Sequence, residues 1–178
     1  MFRVVDRTTL CEAGFLTVER LHVAGPDDEF DRHVVLHPGA VVVVPVDTDG
    51  NALLVRQYRV AVGRALLEVP AGKRDVPGEP PEVTAARELE EEIGRRAGTL
   101  RPLCRFFNSP GFTDELSHVF LATELEECER AAVSAEEAAM TVESVALRDV
   151  DALIAAGELV DAKSIIGLLL AREAVDRV

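Results

Sequence analysis

Over residues 14–23 apolar and polar positions alternate with period two, the pattern of a half-buried strand. Pro26-Asp27-Asp28 marks a turn, and residues 30–36 supply a partner strand. Such a hairpin-like unit, residues 1–37, is too small to stand alone and must pack on the rest of the chain or on a second copy. The pattern then becomes a near-continuous β-branched run, AVVVVPV at 40–46, as in a central strand buried on both faces. Asp49-Gly50-Asn51 reads as a turn that returns ALLVRQYRV, residues 52–60, as the neighbouring strand. The apolar strand LLEVPAG, residues 66–72, enters a Gly/Pro-rich loop, and beyond it the period lengthens to that of a helix ending at Gly94. Further strands are predicted at 101–107, 115–125 and 141–147, with an acidic, Ala-rich loop at 126–140. Helices follow at 149–156 and 161–175, the last with a broad apolar face from Ile165 to Leu170. This order predicts an α+β fold, a mixed sheet sandwiched between helices, with a small N-terminal antiparallel β appendage. The domain boundary falls between 37 and 38, and the main domain runs over 38–178.

The helix before Gly94 carries the chemistry. Glu88, Glu91 and Glu92 lie at i, i+3 and i+4 and share one face. Ala85, Ala86, Leu89 and Ile93 form the neighbouring flank, which can pack on a core. Each like-charged pair at this spacing costs a helix roughly 0.2–0.5 kcal/mol, so the carboxylate row is incomplete until a cation neutralises it. Hard oxygen ligands suit Mg²⁺ or Mn²⁺ rather than Zn²⁺. An isolated Glu-rich run is ordinarily a solvated surface helix. Here a loop flanked by Gly72 and Gly78, prolines suited to a first helical turn at Pro80 and Pro81, and a glycine stop at Gly94 frame it. A glycine loop feeding a one-sided carboxylate row is a device for holding metal against phosphate.

Composition narrows the partners. The net charge of −13 over 178 residues argues against nucleic acid and against anionic membrane surfaces. An anionic substrate must then be met by metal and by local cations, and Arg56, Arg59 and Arg64 cluster just before the acidic helix. Cys11, Cys104 and Cys128 are scattered and odd in number, which suits a reducing, cytoplasmic setting, each reading as a small core residue. No apolar run is long enough to span a membrane and the N-terminal stretch lacks a signal-peptide core. His22, His33, His37 and His118 read as structural or surface histidines, and Phe107 and Phe112 as core residues or a platform for a base.

The central stretch resembles the signature of the Nudix hydrolases. That signature is Gly, five residues, Glu, seven residues, then Arg-Glu-apolar-any-Glu-Glu-any-Gly-apolar. Here Gly72 is followed by six residues, Glu79, seven residues, and Arg87-Glu88-Leu89-Glu90-Glu91-Glu92-Ile93-Gly94. The first gap is one residue longer, within a loop, and Arg95 stands where an apolar residue is usual. Pro110, sixteen residues after Gly94 (110 − 94), the SPGFTDE and QYR segments and the EVPAG strand resemble the ADP-ribose pyrophosphatase branch.

The resemblance implies the α/β/α Nudix fold, a homodimer paired through the N-terminal appendage, and cleavage of ADP-ribose to AMP and ribose 5-phosphate. It also leaves open another nucleoside diphosphate sugar or a dinucleotide as substrate, or a module that senses ADP-ribose without cutting it. It implies metal ligation by Glu88 and Glu92, by Glu91 and by the carbonyl of Ala71, with Arg87 orienting the row. A general base is implied on the later acidic loop, where Glu136 and Glu137 stand and Glu137 is favoured; Ala139 replaces a further acid. Arg56, Arg59, Arg64 and Glu68 match substrate-contacting positions, and Phe112 the loop shaping the terminal-ribose end.

Overall fold

The computed structural model of the chain describes residues 1–130 and 134–175. Three strands, β1 (Arg3–Ala13), β2 (Leu16–Ala24) and β3 (Glu29–Leu36), form an N-terminal antiparallel sheet in the order β1-β2-β3. The hairpin expected from sequence is therefore joined by a third strand, β1. Nearly every β1 residue is exposed, so its sequence carries no buried-face alternation to betray it. Cys11 lies on this outer strand and is exposed rather than a core residue, whereas Cys104 and Cys128 are partly buried. The sheet is tied to the body where Val35 bonds Phe112 and Asp114 through the backbone and His37 N–H donates to Asp114.

β4 (Ala40–Pro45) is buried along its whole length, as its unbroken apolar run demands. β5 (Asn51–Arg59), β6 (Arg64–Glu68), β7 (Ala71–Lys73) and helix α1 (Pro81–Ile93) follow, then β8 (Arg95–Phe107) and β9 (Leu116–Glu127). The short helix α2 (Ala135–Ala138), β10 (Thr141–Ala146) and helices α3 (Val150–Ala155) and α4 (Ala162–Val175) complete the fold. The acidic loop expected at 126–140 thus contains α2, while residues 131–133 and 176–178 lie outside the described residues.

The strands divide into a mixed sheet, β7-β4-β9-β8, in which β4 and β9 run parallel, and an antiparallel sheet, β10-β5-β6. This corrects one expectation: β5 does not return beside β4. The turn is present, with Asp47 Oδ1 accepting from the N–H groups of Asp49 and Asn51. Both edges of β4, however, are taken by β7 and β9. Strand pairing with β5 is reduced to the bridge Val46–Ala52, and β5 pairs with β6 and β10 instead. The LLEVPAG stretch likewise breaks at Val69-Pro70, leaving β6 in one sheet and β7 in the other. Proline cannot donate to a ladder, so a strand changes partners there at low cost.

Alternation along β4 builds two cores. Val41 and Val43 meet Ala85, Leu89 and Ile93 of α1. Val42 and Val44 meet Leu168 and Ala171 of α4. The sheets thus lie between α1 on one side and α4 on the other, as expected of the α/β/α order. α4 approaches β4 closely at Gly167, where a Cβ would come within 2.9 Å of Val44 Cγ2. Among the described residues no helix is long and apolar enough to cross a membrane.

Candidate active site

α1 begins at Pro81, whose missing N–H is not needed in the first turn, and ends at Gly94 in a left-handed conformation (φ 63°) whose N–H caps Glu90. Of the flank expected to pack on the core, Ala85, Leu89 and Ile93 are buried, whereas Ala86, at the edge of the stripe, is only half-buried. Two of its acids are also buried: Glu88 and Glu92 are only 8% and 4% exposed. The helix presses these carboxylates onto β7. Glu92 Oε2 accepts the N–H of Ala71 at 3.1 Å. Glu88 lies flat against Gly72, where a Cβ would fall 1.9 Å from its carboxyl carbon. Only a residue without a side chain lets the strand and the carboxylate approach so closely.

Arg87 neutralises part of the row. Its Nη1 lies 3.0 Å from Glu88 and 2.9 Å from Glu91, and its Nη2 lies 3.8 Å from Asp75 and 3.9 Å from Glu79. Glu79 is fixed in turn by the hydroxyl of Thr84 at 2.6 Å. One guanidinium therefore faces four carboxylates. Burial pushes Glu88 up to about 7, against the opposing charge of Arg87 and with Glu91, Glu137 and Asp75 adding to the rise. Burial likewise pushes Glu92 up to about 8, opposed by the Ala71 hydrogen bond and reinforced by Glu88 and Glu137. The cluster holds more negative charge than its own cation offsets.

Asp75, Arg87, Glu88, Glu91 and Glu92 line a cavity of about 880 Å³, within the roughly 300–1,000 Å³ of small-molecule sites. Of the residues singled out by sequence, it brings together Glu88, Glu91, Glu92, Arg87, Ala71, Arg59, Glu68, Glu136 and Glu137. Arg56, Arg64 and Phe112 do not line it. Arg56 instead forms a two-point ion pair with Glu143 of β10. Arg64 is exposed at the start of β6, and Phe112 and Phe107 are each 55% exposed, so neither is a core residue. Glu136 and Glu137 ride on α2, capped by Ser134 Oγ, which accepts the Glu137 N–H at 3.1 Å. Arg130 holds α2 in place by donating to the backbone oxygens of Glu137 and Met140.

Sequence reasoning missed three participants. Gly72 was read as a loop-flanking glycine and as the first residue of the signature, without its contact with Glu88, where an added Cβ would fall on the carboxylate. Arg130 gave no signal beyond one basic residue in an acidic stretch. Lys163, at the start of α4, lines the cavity and donates to Glu68 at 2.5 Å. Its signal was a cation in a first helical turn, where the helix dipole disfavours it.

The carboxylates of Glu88, Glu91 and Glu92 beside the Gly72 cradle offer hard oxygen donors, the chemistry that suits a divalent cation. Among the described residues no three acidic, His or Cys side chains already converge as a closed cage, since Glu88 and Glu91 lean on Arg87 and Glu92 on Ala71. The fit lies in the donors and their uncompensated charge.

Comparison with known proteins accords with this geometry. The family model described as the NUDIX domain matches residues 35–165. An "ADP-ribose pyrophosphatase" of Mycobacterium tuberculosis is 41% identical over 94% of this chain and 82% of its own length. One of Bacillus subtilis is 44% identical over 75% of this chain and 71% of its own. A solved structure titled "Crystal structure of ADP compounds hydrolase" superposes with a TM-score of 0.87, at 23% identity, over 99% of this chain and 95% of that one. That similarity speaks for the fold.

Proposed function

This chain belongs to the NUDIX family, and on that premise we propose that it hydrolyses ADP-ribose between the two phosphates, yielding AMP and ribose 5-phosphate. The observation that carries the reading is the pair of buried carboxylates, Glu88 and Glu92, pressed against β7 at the wall of a cavity large enough for a nucleoside diphosphate. Relatives at 41% and 44% identity bear the matching name.

Nudix hydrolases generally use a divalent metal, and Mg²⁺, with Mn²⁺ as a substitute, suits the oxygen donors here. Glu88, Glu91, Glu92 and the carbonyl of Ala71 would hold it. Bound there, it would neutralise the phosphoryl oxygens and lower the pKa of the attacking water. Arg87 keeps Glu88 and Glu91 in one orientation. Glu137, on a helix anchored by Arg130, accepts the proton of that water as its oxygen bonds to phosphorus and the bridging P–O bond breaks. Glu136, beside it on the same turn, is the second candidate for this role. The residues lining the cavity fix the approach of substrate and water.

The N-terminal sheet leaves Phe2, Val4, Val5 and Leu10 exposed, and a second copy of the chain is the partner proposed to cover them. Residues 1–37 then act as a dimerisation unit beside a catalytic domain at 38–178. Unpaired cysteines fit a reducing, cytoplasmic setting. Arg56, Arg64 and Phe112, outside the cavity of a single copy, could meet substrate only if a partner or closure extends the site.

Incubation with ADP-ribose and Mg²⁺, then Mn²⁺, should release AMP and ribose 5-phosphate in equal amounts. Folded protein that releases neither with any divalent ion removes the proposal, and a panel of nucleoside diphosphate sugars and dinucleotides ranks the alternatives by kcat/KM.

A further inference from the structure

Glu68 is a fully buried acid in the cavity wall, its side chain 1% exposed. Arg59 donates to it twice, from Nε and Nη2, each at 2.8 Å. Lys163 donates to the same carboxylate at 2.5 Å. Burial alone would raise the pKa of Glu68, but the Arg59 hydrogen bonds and the Lys163 charge hold it below its ordinary value. The carboxylate is thus ionised, enclosed and occupied. What a ligand meets at this wall is the pair of cations that Glu68 supports.

Both cations keep donors in reserve. A lysine ammonium has three protons, and Lys163 commits two, to Glu68 and to Asp161 at 2.8 Å. Arg59 uses Nε and Nη2 on Glu68, and among the described residues its Nη1 is left available. Both side chains line the cavity, with 39% of Arg59 and 17% of Lys163 exposed. Gln57, two residues before Arg59, lines it too, and its buried Nε2 has no hydrogen-bond partner among the described residues. A buried donor left unmade is costly. An acceptor supplied by a ligand would satisfy it. Three donors therefore line one wall, near enough to the acidic helix for the charge of Glu92 to act on Arg59.

The wall is built to hold still. Asp161 accepts from Ser164 N at 2.9 Å and from Ser164 Oγ at 2.5 Å. Ser164 Oγ accepts the N–H of Val69 at 2.9 Å, fastening α4 to the link between β6 and β7. A lysine in the first turn of a helix opposes the dipole. A tie between α4 and β6 alone would be served as well by apolar packing, without desolvating an ion pair.

Resting on the ADP-ribose reading above, we propose that Lys163 is a substrate-binding residue. With Arg59 it forms a two-cation platform on Glu68 that binds the phosphoryl oxygens not held by metal. A single charge-assisted hydrogen bond to a phosphoryl oxygen accounts for about 10- to 100-fold in affinity.

The test measures wild type, Lys163→Met and Lys163→Arg in three ways. These are steady-state hydrolysis of ADP-ribose with Mg²⁺, calorimetric titration with its uncleavable α,β-methylene analogue, and thermal melting. Lys163→Met should raise KM and the analogue's Kd by about 10- to 100-fold and leave kcat within about threefold. Lys163→Arg should recover most of the binding. If Lys163→Met does not fold, Lys163→Gln takes its place with the same expectation. Binding within about twofold of wild type in the neutral variant overturns the inference. So does equal impairment of the arginine variant, or a fall in kcat that tracks melting temperature, since each marks a structural tie. A wild-type protein that neither binds nor cleaves overturns the functional reading and this inference together. Wild-type turnover with an unchanged neutral variant overturns the inference alone.

Discussion

Gly72→Ala isolates the contact between β7 and the acidic helix. The added Cβ would fall 1.9 Å from Glu88 Cδ, 2.1 Å from Oε1 and 2.4 Å from Cγ. Carbon atoms settle at about 3.5–4.0 Å, so the carboxylate has to retreat by roughly 1.5 Å. Gly72 does not belong to the glycines with positive φ, so its backbone accepts alanine without strain, and the stiffer unfolded chain offers about 0.4–1 kcal/mol in return. The Glu88 side chain yields before the strand does. The expected outcome is a protein that melts within a few degrees of wild type but loses about 100-fold or more in kcat/KM, the scale of a one-ångström misplacement at a reacting centre. Metal affinity should fall alongside. Gly78→Ala serves as the contrast. Nothing lies within 4 Å of its Cβ, but its φ of 78° disfavours a side chain, so it should cost about 1–2 kcal/mol of stability and little turnover. The assays are hydrolysis of ADP-ribose at saturating Mg²⁺, a metal titration and thermal melts of both variants. If Gly72→Ala keeps activity within about threefold of wild type, the close approach of strand and carboxylate is not what positions Glu88.

Glu92→Gln, at a side chain 4% exposed, should lower turnover by at least about 100-fold while far-UV circular dichroism stays that of the wild type; unchanged turnover would contradict its role as a ligand. Because burial holds Glu88 and Glu92 up at about 7 and about 8, divalent metal binding near neutral pH should release protons, seen as a binding enthalpy that changes with the ionisation enthalpy of the buffer. Glu68 is held below its ordinary value of 4.5, so its stabilising contribution is complete above that pH and is lost as pH falls through its folded value. The wild type should therefore lose melting temperature in acid, and Glu68→Gln should be less stable at pH 7 with a flatter acid limb. Gly167→Leu forces a Cβ to within 2.9 Å of Val44 and 3.5 Å of Val119, which should cost about 1–3 kcal/mol by overpacking without altering KM, checked by denaturant titration beside kinetics.

The sequence was most legible where a local signal and the tertiary outcome coincide. Pro80-Pro81, the helical spacing of Ala85, Leu89 and Ile93, and Gly94 gave both ends of α1 and its packing flank, because each acts within a turn of its own position. The valines of β4 announced full burial for the same reason. Partner choice was not legible. The turn at Asp49-Gly50-Asn51 favours a hairpin locally, yet β9 and β7 outcompete β5 for the edges of β4. That competition is settled by residues far along the chain. β1 was hidden because a strand exposed on both faces has no period to read. Among the site residues, the carboxylate row could be read from spacing, but the burial of Glu88 and Glu92 could not. Spacing places three acids on one face of a helix without saying what that face meets. Here it meets Gly72 and the N–H of Ala71, and this is where the chemistry originates. Solvated carboxylates would stay ionised and bind a cation weakly, at the cost of stripping their water. Carboxylates already taken out of water, with one arginine shared among several, have little solvation left to lose. The fold bears that cost when α1 docks on β7, and a divalent ion gains from it when it enters.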